Sequence, residues 1–237
     1  FAPAAQVEDV IGLIVALPAE ARSIGLRGAR SGACVRWRHG WATVSGIGAH
    51  NAMRAAERLL ACGVTRLDNW GVAGALDAGL APGDVLVPGR IQYAHGDPGF
   101  ATDHIASERL AAVFSGALQV RRGPRWSVQH PVASPADKQT LAARSGAVAV
   151  DMEAAPIAAI AARSHLPFVA VKAICDPATR EVPERIARTL GDGGVTLRML
   201  AAVAFGGPGI WHAAHELARD FSCARHTLAT ASHLLAA

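Results

Sequence analysis

Lysine is almost missing from this chain: among 23 basic residues only Lys138 and Lys172 are lysines. Aromatic residues are scarce at 5%. No run of five or six basic residues occurs, and neither an aromatic RNA-binding signature nor zinc-finger spacing is present. The net charge of +4 therefore reads as a mixed, solvated surface rather than a nucleic-acid face. The cysteines, Cys34, Cys62, Cys175 and Cys223, are isolated and form no CxxC pair. That excludes a disulfide framework and fits a reducing compartment, so a cytoplasmic location is expected. No stretch reaches the roughly 18 to 20 apolar residues of a membrane span. The apolar segment Val10 to Leu17 is short and lacks the basic flank and cleavage site of a signal peptide.

What is there is a compact α/β pattern. Half of the 237 residues (51%) are hydrophobic and 18% are charged, and the core is expected to be built from small aliphatic side chains. Short apolar runs at Ile11–Leu17, Leu67–Trp70, Asp84–Pro88, Ile91–Ala94, Trp126–Gln129, Ala147–Asp151 and Phe168–Cys175 read as strands. Cys34–His39 and Trp41–Ser45 flank Gly40 as a hairpin. Helical patterns fall at a short segment from Ala19, at His50–Cys62 ending on Gly63, and at Asp103–Ser115, Pro135–Arg144 and Glu153–Ser164. Apolar strands alternating with helices predict one α/β domain over 1–237. Its architecture is a three-layer sandwich with a mostly parallel, mixed central sheet flanked by helices.

The tail, about 208–237, follows Gly206-Gly207-Pro208-Gly209, a candidate hinge. Apolar or small residues recur at Ile210, Ala214, Leu217, Phe221, Ala224, Leu228, Ala231 and Leu235, a narrow stripe on one long C-terminal helix. It is expected to pack on its own domain or on a second subunit. Weak contact with a membrane surface, through flanking Arg219, Arg225 and histidines, is the alternative.

Ligands of open α/β sheets bind outside the carboxyl ends of the strands, and four residue sets fall there. Glu20 follows the first strand, where a carboxylate can orient or deprotonate water or act as a first-turn helix acid. Ser45-Gly46-Ile47-Gly48 carries a strand into a helix, and Gly71-Val72-Ala73-Gly74 reads as a parallel turn; backbone amides there can approach an anion or a sugar. Asn51 stands where a dinucleotide fingerprint needs its third glycine, which argues against an NAD-binding oxidoreductase. Asp151-Met152-Glu153 sits between a strand and a helix, where Glu153 can accept two hydrogen bonds from a sugar diol or cap the helix. Cys175-Asp176-Pro177 ends the strand that carries Lys172. Partial burial there would keep Asp176 protonated as a general acid, unless it only initiates a turn. His212 and His215 lack a neighbouring acidic cluster and are expected to be surface histidines, with no metal.

Together these motifs resemble the nucleoside phosphorylase and nucleosidase superfamily. Ala16-Leu17-Pro18-Ala19-Glu20 looks like the opening of the methylthioadenosine/S-adenosylhomocysteine nucleosidases. Ser45–Gly48, Gly71–Gly74, Pro82-Gly83-Asp84-Val85, Val150-Asp151-Met152-Glu153-Ala154 and Lys172-Ala173-Ile174-Cys175-Asp176 follow in the family's order. Val182-Pro183, Gly191-Asp192-Gly193-Gly194 and the tail are similar to a narrower branch, the hopanoid-biosynthesis-associated phosphorylases. The resemblance implies cleavage of the N-glycosidic bond of a purine nucleoside, with adenosylhopane as the branch's substrate.

In that scheme Asp176 protonates the purine at N7, Glu153 binds the ribose hydroxyls beside the backbone of Met152, and Glu20 holds the attacking water. Ser45, Gly46, Gly48, Val72, Ala73, Gly74, Lys172 and Cys175 line the substrate region. No cofactor is implied, phosphate being a co-substrate only of a phosphorylase, and a homodimer is expected. This sequence departs from the family with Lys172 for arginine, Cys175 for serine and Val72 for a hydroxyl residue, which points to a more apolar pocket. The Gly-x-Pro-x-Arg opening of phosphorylases is missing, although Arg22 and the amides of Gly46 and Gly48 could substitute. Glu20 would repel phosphate, so hydrolysis is favoured over phosphorolysis. A non-catalytic nucleoside sensor on the same fold is the reading from another class.

Overall fold

The computed structural model describes residues 10–29, 31–38, 40–93, 98–183 and 207–236. The Gly191–Gly194 motif and Gly206 of the candidate hinge lie outside them. The described elements are β1 (Ile11–Val15), α1 (Pro18–Ser23), β2 (Cys34–Trp37), β3 (Gly40–Val44), α2 (Ala49–Ala61) and β4 (Arg66–Ala75). Then come β5 (Val85–Leu86), β6 (Arg90–Gln92), β7 (Phe100–Ala101), α3 (His104–Ser115), β8 (Val120–Arg121), β9 (Arg125–Ser127), α4 (Pro135–Ser145) and β10 (Ala149–Asp151). The last three are α5 (Ala154–Arg163), β11 (Phe168–Asp176) and α6 (Gly207–Leu234).

All the strands form one mixed sheet ordered β2-β3-β1-β4-β10-β9-β6-β7, with β11 pairing β4 and β5, and β8 pairing β5. The central pairs β1–β3, β1–β4 and β4–β11 are parallel. The pairs β2–β3, β4–β10, β5–β11 and β6–β7 are antiparallel. Strand side chains alternate between faces. Leu13 and Val15 of β1 thus join Val169, Val171 and Ala173 of β11 in one core, with Ala21 of α1, Ile24 just after it, Phe114 of α3 and Leu228 of α6. Ile14, Phe168 and Ala170 face the other way, onto Ala52, Ala55, Ala56 and Leu59 of α2 and Ile157, Ile160 and Ala161 of α5. Both faces of the central strands are covered, which is why their sequences are apolar without alternation.

One element near the cavity differs from the sequence expectation. The Gly71–Gly74 segment is not a turn: β4 continues through it for ten residues. The partner strand decides this, because β11 pairs Lys172 with Gly71, Ala173 with Val72 and Ile174 with Ala73 before a register shift sets Asp176 beside Gly74. The glycine at 71 serves a close approach instead: its φ is +154°, and a Cβ there would lie 2.7 Å from Oε1 of Glu20. The tail stripe packs on its own domain, as one of the two expectations had it, in two parts. Its carboxyl-terminal half enters the core, with Ala224, Leu228 and Ala231 fully buried. Its amino-terminal half, around Ile210, Ala214 and Leu217, packs against Val182 and Ala133. No helix among the described residues is long and apolar enough to cross a membrane.

Candidate active site

Segments at the carboxyl ends of β1, β3, β9, β10 and β11 and on the distal half of β4 converge on a cavity of about 420 Å³, and α6 closes it. Glu20, Val72, Ala73, Gly74, Met152, Glu153, Cys175 and Asp176 line it, as do Ala214, Leu217, Ala218 and Phe221 of α6. Apart from the carboxyl groups, the lining side chains are almost all apolar. Among the described residues no lysine or arginine lines it.

Glu20 is buried, 2% exposed. Its Oε2 accepts from the amides of Ala16 (2.9 Å) and Leu17 (2.8 Å), and its Oε1 from the amide of Val72 (2.9 Å). The Leu17 bond is the first-turn helix contact open to any acid at this position. The Val72 bond reaches across to β4 and fixes the carboxylate at the cavity wall. Burial raises its pKa against the opposing charge of Lys172 and these three amides.

Glu153 occupies the residue before α5 but does not cap it. Capping is done by Asp151, whose Oδ2 accepts from the Ala154 amide at 3.1 Å, and by Ser127, whose hydroxyl accepts from the Ala155 amide at 3.0 Å. The Glu153 carboxylate instead accepts from the Gly48 amide (2.9 Å) and the Met152 amide (3.3 Å). Burial, with the charge of Asp151 next, pushes its pKa up to about 7.

Asp176 ends β11 with its Oδ2 2.7 Å from Nζ of Lys138, while its Oδ1 is buried without a protein partner. Burial raises this carboxyl's pKa, and Lys138 opposes the rise. The raised pKa gives a protonated fraction closer to neutrality than an ordinary aspartate has, as a general acid needs. Cys175 beside it is a free thiol, pushed far up by burial and by the charge of Asp176.

Of the residues singled out in the sequence, Ser45, Gly46, Gly48 and Lys172 lie outside the cavity lining. The Ser45 hydroxyl binds the carbonyls of Val15 (3.3 Å) and Gly46 (2.7 Å). The Gly46 amide is spent on the Ala16 carbonyl at 3.0 Å. Gly46 and Gly48, at φ +87° and +95°, shape the turn that delivers the Gly48 amide to Glu153. Lys172 is buried with Nζ 3.1 Å from Oδ2 of Asp151, which Arg125 also approaches at 3.4 Å. Burial alone would raise the Asp151 pKa, but these two cations and the Ser127 hydroxyl hold it low. Arg22 is exposed on α1. His212 and His215 are on α6, His212 within 3.7 Å of Glu216. No group of three or more metal-ligating side chains is found among the described residues.

Sequence reasoning did not find Lys138, Arg125 or the α6 wall as parts of this site. The rarity of lysine was the only local signal for Lys138. Arg125 and Asp151 come together through the parallel pairing of β9 with β10, which no local pattern encodes.

Residues 38–193 match the family model of the phosphorylase superfamily. The matched span holds Glu153 and Asp176, whereas Glu20 and α6 lie outside it. Sequence comparison with curated proteins finds no match. Among solved structures the fold is similar to a mutant of Helicobacter pylori 5′-methylthioadenosine/S-adenosylhomocysteine nucleosidase with 5′-methylthioadenosine in its active site (TM-score 0.70, 18% identity, covering 96% of this chain and 98% of that one). It is also similar to H. pylori futalosine hydrolase (TM-score 0.68, 19% identity, 96% and 97% covered). A third is the Neisseria meningitidis methylthioadenosine/S-adenosylhomocysteine nucleosidase in complex with methylthio-immucillin-A (TM-score 0.66, 23% identity, 97% and 100% covered). The cavity at the strand ends and the match over more than half of the chain lead to one conclusion: this chain belongs to the phosphorylase superfamily and is an enzyme that cleaves N-glycosidic bonds.

Proposed function

We propose that the protein hydrolyses the N-glycosidic bond of a purine nucleoside carrying a bulky apolar 5′ substituent, releasing the free base. The observation that carries this reading is the cavity itself: Glu20, Glu153 and Asp176 on a lining that is otherwise apolar apart from the ion-paired Asp151, with α6 supplying Leu217 and Phe221. Its volume lies in the range of roughly 300–1,000 Å³ usual for small-molecule sites.

Each carboxyl group has a separate task. Asp176 delivers a proton to N7 of the purine as the bond from C1′ to the base breaks and its electron pair leaves with the base. Charge then develops on the ribosyl ring, as in other glycoside cleavages. Glu153, held by the amides of Gly48 and Met152, accepts hydrogen bonds from the ribose diol. Glu20, pinned by three amides, orients the water that attacks C1′ and takes up the proton that this water loses. The apolar wall of α6 takes the 5′ group, and adenosylhopane is the specific candidate.

Water is favoured over phosphate for a physical reason. A phosphate dianion needs cations or free amides, and among the described residues the cavity offers no cationic side chain. The amides of Gly46 and Gly48 are already bonded to Ala16 and Glu153. The deciding experiment measures adenine release from adenosine and from an adenosine bearing a large apolar 5′ group, with and without phosphate. We expect release without phosphate and a preference for the apolar substrate. Release only with phosphate would make the enzyme a phosphorylase, and binding without release would make it a sensor. A cytoplasmic homodimer is proposed as the working form, and sedimentation of the purified chain tests the dimer.

A further inference from the structure

Lys138 on α4 is 1% exposed. A buried ammonium is costly unless every N–H finds an acceptor. Here three do: Oδ2 of Asp176 at 2.7 Å and the carbonyl oxygens of Pro177 and Arg180, each at 3.0 Å. Three acceptors around Nζ match a charged ammonium and leave it no donor for a ligand. Nor does Lys138 line the cavity. Asp176 does line it, and its second oxygen, Oδ1, has no protein partner. The carboxyl group is thus gripped by one oxygen while the other is left over.

We propose that Lys138 is the positioning residue of the reaction's acid, holding the Asp176 carboxyl group through Oδ2 at the cavity wall where that group can meet the leaving base. This rests on the reading of Asp176 as the general acid. The proton moves from the Asp176 carboxyl group to the base nitrogen as the glycosidic bond breaks, and the carboxylate left behind is neutralised by the ammonium already beside it. Without Lys138 the same transfer would strand a buried anion, so Asp176 would be a weaker acid as well as a less ordered one.

The other groups facing Asp176 do not replace Lys138. Arg180, in the segment after β11, also favours the ionised carboxyl, but its guanidinium is engaged by Asp220 and Glu216 of α6. Asp220 acts in the opposite sense. Cys175, its neighbour on β11, stays a neutral thiol.

The test uses the full-length protein and its Lys138→Met, Lys138→Arg and Lys138→Gln variants. The infrared carbonyl band of protonated Asp176, assigned by its loss in Asp176→Asn, is titrated in each. In Lys138→Met the band midpoint should rise by about one to three pH units, and Lys138→Arg should keep the wild-type midpoint. In base release, Lys138→Met should lose roughly tenfold or more in kcat with little change in KM, and its alkaline limb should move up with the band. If Lys138→Met does not fold by circular dichroism, Lys138→Gln, which keeps a donor without the charge, carries the same comparison. An unchanged band midpoint and alkaline limb in a folded, uncharged variant overturns the proposal. Wild-type protein that releases no base would sink the proposed activity, while the band titration would still decide the role of Lys138.

Discussion

Glu20 and Glu153 are buried and Asp176 is partly buried, all three at strand ends, yet their partners differ, and the partners set what each can do. Glu20 is held by three backbone amides, Glu153 by two, and Asp176 by an ammonium on one oxygen only. Asp176→Asn keeps the shape but has no proton to give. Base release should fall by roughly a hundredfold or more, while calorimetric binding of a nucleoside analogue persists; unchanged turnover would remove Asp176 from the acid's role. Glu153 makes a separate prediction about stability. Its folded pKa of about 7 exceeds the ordinary 4.5, so between those values the native state holds more protons than the unfolded chain. Stability therefore falls as pH rises through that window. Glu153→Gln removes the penalty and should gain about 1 to 3 kcal/mol at pH 8 and almost nothing at pH 4, read from urea midpoints at the two pH values. A gain that is the same at both would show that burial of this charge costs the fold little. These three acids were legible in the sequence because an acid just past a buried apolar run stands out locally. Lys138 and Arg125 were not, since each meets its acid only through packing of elements distant in sequence.

The periodicity of the elements themselves was mostly readable, and β4 marks where it failed. Two glycines within four residues signal a turn, but a nine-residue partner, β11, supplies ladder bonds that carry β4 straight through. Glycine at 71 is required by the carboxylate of Glu20, not by a change of direction. Gly71→Ala would press a methyl group 2.7 Å from Oε1 of that carboxylate at a φ of +154°. We expect the variant to fold with a lower melting temperature and to lose most of its base release through displacement of Glu20. Wild-type kinetics in Gly71→Ala would mean that Glu20 can move without consequence for the reaction.

Across the whole molecule, the layered α/β class followed from apolar strands alternating with helices. The branching of the sheet at β4, which pairs β1, β11 and β10, did not, because strand order is a property of packing rather than of any local pattern. The long tail helix belongs to this scale as well. One half of α6 is core and the other half is cavity wall. Leu228, fully buried, tests the core half: Leu228→Ala should cost about 2–5 kcal/mol in chemical denaturation and leave the pH dependence of base release unchanged. A shifted pH profile would mean that the two halves are less separate than their contacts.

Because a single helix both completes the core and faces the ligand, occupancy and cohesion are thermodynamically linked. A nucleoside that wedges its apolar end against Leu217 and Phe221 also tethers α6 to the sheet. Ligand present at a hundred times its dissociation constant adds about 2.7 kcal/mol to the folded state, enough to register as a rise in melting temperature. A library of 5′-substituted nucleosides can therefore be ranked by heat alone, before any product is assayed, and the shape of the preferred 5′ group would emerge from that ranking.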